Sequence, residues 1–124
     1  VALVATIAAL LIAAALNLAG GRFFREYYPV YGAPIVEEAA KTISAITLGA
    51  PLMTVHLLFG VAEVFWDLGA GGKILSSLSS LLLHMTVGFV TFWVWYYSGW
   101  WWVGLAAGIL VHFQWNKLVF RRHP

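Results

Sequence analysis

The positions along this chain fall into long apolar runs separated by short polar or glycine-rich breaks. Val1 to Gly20 is Ala, Leu, Ile and Val interrupted only by Thr6 and Asn17. A helix of that length, rising about 1.5 Å per residue, crosses a hydrocarbon layer of about 30 Å. Gly21 to Ala33 then mixes Arg22, Arg25 and Glu26 with Phe23, Phe24, Tyr27, Tyr28 and Tyr31, the composition of a segment lying among lipid headgroups. Pro34 suits the first turn of a helix. That helix reaches about Leu48, where Gly49-Ala50-Pro51 stops it and starts another running to about Leu68. Gly69 to Gly72 is a turn, Lys73 to Tyr97 a further run, Ser98-Gly99 a break, and Trp100 to about Phe120 the last run. The pattern predicts an all-α fold, an integral membrane bundle of about five transmembrane helices in one domain over residues 1–124, with spans near 1–20, 34–48, 51–68, 73–97 and 100–120. The second span is short and is expected either inside the bundle or in a locally thinned bilayer.

Composition strengthens this reading. Hydrophobic residues make up 62% and charged ones 10% of the 124 residues, far from soluble averages, and the mean hydropathy is +0.87. The seven Lys and Arg are scattered between apolar runs and form no stripe that could follow a phosphate backbone, so nucleic acid is not expected as a partner. The absence of cysteine excludes disulfides, thiolate nucleophiles and cysteine-type metal centres. No basic n-region or small-residue cleavage site precedes a polar region, so a cleaved signal peptide is not expected. Arg22, Arg25, Lys73, Lys117, Arg121 and Arg122 fall on one membrane face or at helix ends beside it. The positive-inside rule puts that face, with the C-terminus and its basic tail Arg121 to Pro124, in the cytoplasm and Val1 outside. The expected location is a prokaryotic cell membrane, with lipid as the immediate partner. Trp93, Trp95, Tyr96, Tyr97, Trp100, Trp101 and Trp102 form an aromatic belt at the outer interface.

Against this background the ionisable residues inside the spans need a cause. Glu37, Glu38, Lys41 and Glu63 would each cost about 2.5–3.5 kcal/mol at the bilayer centre if unpaired. Helical neighbours three and four apart share a face, and four helices carry such polar stripes. Glu37, Lys41 and Ser44 line the second span with Glu38 and Thr42 beside them. The third carries His56, Gly60, Glu63 and Asp67, the fourth Ser77, Ser80, His84, Gly88 and Thr91, and the fifth Gly104, Gly108, His112 and Asn116. Small residues beside polar ones indicate close helix packing, so the stripes are expected to face one another. Counting inward from the cytoplasmic end puts Glu37, Glu63 and Asn116 roughly 5–8 Å deep, Lys41 and His112 about 10 Å, and His84 and His56 about 16–18 Å. His56 is therefore expected furthest from the carboxylates, as interhelical hydrogen-bond glue. Structural roles also stand open for Glu37 with Lys41 as an ion pair and for His112 with Asn116 as glue. Taken as chemistry, the cluster predicts a hydrated pocket open to the cytoplasm. There one Glu acts as general base on water while His and Asn donate hydrogen bonds to a developing oxyanion.

Four local patterns resemble a known group, the glutamate-dependent intramembrane peptidases that include the CAAX-processing and PrsW-like proteases. APIVEEAAK, Ala33 to Lys41, resembles the PrsW EExxK motif, and FGVAE, Phe59 to Glu63, resembles its FxxxE helix. His84 matches a later histidine, and HFQWN, His112 to Asn116, is similar to the HxxxN motif of the CAAX-type branch. Val64 stands where PrsW-type sequences usually carry an acid or amide. The resemblance covers Ala33 to Asn116. It implies a hydrolase, a protease carrying out intramembrane proteolysis on a membrane-protein or peptide substrate without a metal or other cofactor. In it Glu37 and Glu38 activate water, His84 and His112 act as base or oxyanion partners, Asn116 holds the tetrahedral intermediate, and Glu63 completes the site. A member that kept the scaffold and lost the chemistry is also compatible with these motifs. The zinc HExxH, the GxGD aspartate pair and the GxSG serine motif are absent.

Two other functions fit the same residues. His56, His84 and His112, one per helix, could ligate haem or a pigment. The carboxylates and histidines could also take zinc or iron, although the Glu-x-x-His pattern of di-iron bundles is missing. The small, Trp-rich chain could instead be an accessory subunit of a larger membrane complex.

Overall fold

In the computed structural model, which describes residues 1–121, the chain is an all-helical bundle. Five α-helices follow one another: α1 Ala2–Phe24, α2 Ala33–Leu48, α3 Leu52–Gly69, α4 Ile74–Ser98 and α5 Trp101–Arg121. By length and apolar content four helical stretches can cross a membrane: Ala2–Leu48 taken as one, Leu52–Gly69, Ile74–Ser98 and Trp101–Phe120. Arg122, His123 and Pro124 of the basic tail lie outside the described residues.

The breaks between α2 and α3 and between α4 and α5 have the expected causes. Gly49 ends α2 in the left-handed region at φ 65°, where a Cβ would be strained, and Ala50 N–H closes the turn on the Ala45 carbonyl at 2.8 Å. Pro51, extended, then starts α3. Gly99, at φ 76°, ends α4 in the same way, its N–H on the Trp95 carbonyl at 2.8 Å. The first helix is longer than expected. Expected to end near Gly20, α1 continues to Phe24, and a 3₁₀ turn at Arg25–Tyr27 and a π turn at Tyr28–Gly32 lead directly into α2. Tyr28 holds this connection in place, and it is buried. Its hydroxyl reaches the Leu16 carbonyl at 3.2 Å and Asn17 Oδ1 at 3.0 Å. Its ring fills the space that a Cβ at Gly20 or Gly32 would occupy. The turn back into α2 is thus pinned to α1 from inside.

Packing puts α2 at the centre, against α1, α3 and α5, while α4 lies between α3 and α5. Ala5, Ala9 and Ala13 of α1, four residues apart, form the small-residue face that lets this helix approach Ala40 and Ala45 of α2 and Val55 and Phe59 of α3. The interior is unusual for its polarity. Among the described residues, 10 polar or charged side chains are buried against 11 hydrophobic ones, the former including Glu38, Lys41, His56, His84 and His112, while Leu, Ile, Phe and Trp dominate the outside. That inversion suits lipid as solvent. The aromatic segment follows it, with Tyr96, Tyr97, Trp100 and Trp102 more than half exposed. Trp95 alone turns inward, against the Ala5, Ala45, Leu52 and Val55 cluster.

Glycines set the closest approaches beside the polar interior. A Cβ on Gly88 would stand 2.8 Å from Cβ and Cγ of His56, and one on Gly60 would stand 3.1 Å from Cβ of His84. Neither histidine can swing its own Cβ away. Gly88→Ala is therefore expected to destabilise the bundle by about 1–3 kcal/mol through overpacking, read as a lowered denaturation midpoint in detergent. Gly69→Ala, where a Cβ meets nothing within 4 Å, is the control.

Candidate active site

The polar residues of α2, α3, α4 and α5 do converge, on a hub different from the expected one. Consecutive helical residues are about 100° apart, so Glu37 and Glu38 look in different directions. Glu38 is the inner one and is fully buried. Its Oε1 accepts from Lys41 Nζ at 2.6 Å and from His112 Nδ1 at 2.7 Å, and its Oε2 faces His56 Nε2 at 3.0 Å. Three polar partners are what a carboxylate needs to remain in a dry interior. Lys41, also fully buried, pairs with Glu38 and not with Glu37. It donates as well to His84 Nδ1 at 2.9 Å and lies 4.7 Å from the centre of the Phe59 ring.

His56 also lies elsewhere than expected. The expectation of a histidine remote from the carboxylates fails, because His56 is fully buried and touches Glu38 directly. Its other ring nitrogen, Nδ1, meets the Leu52 carbonyl at 3.0 Å.

Around this buried core lies an outer set. His84 Nε2 contacts Glu63 Oε2 at 2.5 Å, and Ser80 Oγ donates to the same oxygen at 3.3 Å. Because an ammonium has hydrogens only to give, Lys41 fixes His84 Nδ1 as the acceptor, and His84 Nε2–H donates to Glu63. Glu37 Oε1 accepts from Asn17 Nδ2 at 3.0 Å, and its Oε2 lies 4.0 Å from His112 Nε2. Asn116 Nδ2 donates to the Pro29 carbonyl at 2.9 Å. Glu37, Glu63, Asp67, Ser80, His84, His112 and Asn116 all border one polar cavity of about 300 Å³. A second, apolar cavity of about 390 Å³, walled by Leu10, Ala13, Ala14, Phe59 and Trp66, reaches Glu37 and Glu63 from the side of α1 and α3. Glu38 borders neither.

Hydrogen-bond chemistry assigns the roles this geometry permits. Glu38 Oε1 takes the hydrogen of His112 Nδ1, so neutral His112 has its lone pair on Nε2, aimed toward Glu37. Two hydrogen bonds of about 2.8 Å from a single water would span the 4.0 Å between those atoms. Both are acceptors, so such a water would give up both hydrogens and present a lone pair to the cavity. Glu38 stands behind His112 as a carboxylate stands behind the imidazole of a hydrolytic triad, orienting the ring and balancing the charge it would acquire. Glu38 itself is too enclosed to touch water. Asn116 keeps a second amide hydrogen for an oxyanion, whereas His84 could donate to one only by leaving Glu63.

Ligand atoms of Glu37, Glu63 and His84 lie within 4.8 Å of one another and so could surround a metal ion. The donor set opposes it, since His84 Nε2 carries the hydrogen that Lys41 forces onto it and a metal would have to displace that hydrogen. The other nitrogens of the three buried histidines face Glu38, Glu37, Lys41 and Leu52, so haem or pigment ligation would require one of those contacts to open.

Asn17 and Tyr28 belong to the site and were absent from the expected set. The available signal was Asn17 itself, a lone amide deep in an apolar run, which had to find a partner in a neighbouring helix. Comparison with protein-family profiles, with curated proteins and with solved structures gives no match to this chain.

Proposed function

We propose that the chain is a glutamate-type intramembrane hydrolase that cleaves a peptide bond of a membrane-associated substrate. The observation that carries this reading is the approach of Glu37 Oε2 to 4.0 Å from His112 Nε2 at the edge of a polar cavity, with His112 backed by buried Glu38. Water held between them attacks the carbonyl carbon, and its proton passes to His112 Nε2 or Glu37. The oxyanion is held by Asn116, and the proton returns to the amine nitrogen as the C–N bond breaks. The motif resemblance supports Glu37, His112 and Asn116 in these roles, while Glu38 positions His112 and does not activate water, and His84 and Glu63 pair with each other beside the reacting groups. No step requires a metal. In the orientation that the positive-inside rule predicts, the polar cavity would face the cytoplasm and the apolar one lipid, so that water and an apolar substrate would reach Glu37 and Glu63 from different sides.

The test compares wild type with Glu37→Gln for cleavage of candidate membrane peptides in bilayer discs. Cleavage is expected to fall by about 10²–10⁴-fold in the variant while its helical circular dichroism is unchanged. Equal turnover would remove the assignment and leave the chain as a scaffold or accessory subunit.

A further inference from the structure

His56 and Glu38 present a contact that ordinary tautomers cannot satisfy. The Leu52 carbonyl has no hydrogen to give, so the 3.0 Å contact with His56 Nδ1 requires the hydrogen on Nδ1. A neutral imidazole has then spent its single N–H, and Nε2 would turn a bare lone pair toward Glu38 Oε2 at 3.0 Å. Two lone pairs facing each other, with both residues fully buried, repel. One additional proton resolves the contact, whether it sits on Nε2 of an imidazolium or on Oε2 of a carboxylic acid.

We propose that Glu38 and His56 hold one proton between them, and that through Glu38 this proton makes His56 a positioning residue for the base at His112. In either placement Oε1 remains an acceptor and keeps both Lys41 Nζ and His112 Nδ1–H, so His112 Nε2 stays a lone pair. The groups facing the pair are Lys41 on α2, His84 on α4 and His112 on α5, with Glu37 and Glu63 beyond them. Three carboxylates against one ammonium leave two negative charges in the cluster, and the shared proton leaves one, which lowers the cost of burying it. During hydrolysis this proton is neither consumed nor released. The proton moved is that of the attacking water, from oxygen to His112 Nε2 and on to the leaving amine.

The positioning role rests on the hydrolytic reading above, while the proton itself does not. Two measurements separate them, both on the full chain in bilayer discs. The first is ring-¹⁵N histidine NMR with infrared spectroscopy at neutral pH. The expected result is either a histidine with both ring nitrogens protonated that vanishes in His56→Gln, or a carboxylic-acid carbonyl band that vanishes in Glu38→Gln. If neither signal exists, the inference is overturned even when Glu37→Gln abolishes cleavage. The second is turnover. His56→Leu is expected to lose about 10- to 100-fold in kcat with KM unchanged, the range for a residue that orients a functional group through another. His56→Gln, which still offers Glu38 an N–H, is expected to restore most of it. His56→Leu turning over like wild type, or His56→Gln failing as fully as His56→Leu while folded, overturns the positioning role. The spectra still decide the proton if Glu37→Gln turns over like wild type and the hydrolytic reading falls.

Discussion

Glu38→Leu is expected to be the most damaging single change in the bundle, costing about 3–5 kcal/mol, because it removes one partner of a buried charged group and leaves the others behind. Lys41 would keep a buried ammonium with only His84 Nδ1 to accept from it, His56 Nε2 would lose its partner, and the His112 Nδ1–H would be orphaned. The size of the loss comes from the stranded partners more than from any large net value of the ion pair. The double variant Glu38→Leu with Lys41→Met should recover only the part of the loss that comes from the stranded ammonium, because His56 and His112 still lack their partner. The measurement is the denaturation midpoint of purified protein in a mild detergent. A double variant no more stable than Glu38→Leu would show that the stranded ammonium is not the source of the loss.

The second large effect concerns chemistry. His112→Gln and Glu37→Gln are each expected to lower kcat by about 10²–10⁴-fold, the range for a positioned general base. The two losses should not multiply. In the proposed mechanism both groups hold the same water through atoms 4.0 Å apart, so once either is gone the other has nothing left to polarise. The double variant is expected to cleave about as slowly as the worse single one. Multiplicative losses would mean that Glu37 and His112 act in separate steps and would remove the shared-water arrangement. Because His112→Gln also withdraws a donor from Glu38, its fold has to be checked by circular dichroism before kinetics are compared.

The helices were legible in the sequence because their punctuation is chemical. Gly49 and Gly99 adopt positive φ, as the breaks at Gly49-Ala50-Pro51 and Ser98-Gly99 imply, and these turns fix where α2 and α4 end. The composition of Gly21 to Ala33 is that of a headgroup segment and gives no sign that one of its tyrosines is packed inside the bundle. The burial of Tyr28 depends on a hydrogen bond to α1 and on the gaps at Gly20 and Gly32, which composition does not encode. The polar stripes identified the right helices, yet periodicity could not decide between Glu37 and Glu38. That choice depends on which neighbours surround α2, and α2 packs on three sides, so no single face is the inner one. His56 was misplaced for a related reason. Counting residues along separate helices gives heights for Cα atoms, and a glutamate side chain bridges much of the difference between two such heights. Asn17 was visible as an anomaly in an apolar run, but its partner Glu37 lies 20 residues away on another helix.

The inverted interior also bears on how this protein responds to temperature. A soluble domain is drawn together largely by expulsion of water from apolar side chains, an entropic force near room temperature that fades on cooling. Here the large aliphatic and aromatic residues point outward, and the helices meet through alanine, glycine and a linked set of charges. Contacts of that kind are enthalpic, so chilling the folded bundle in its bilayer has little to take away. The heat-capacity change on separating its helices within lipid should be small beside that of a water-soluble chain of equal length.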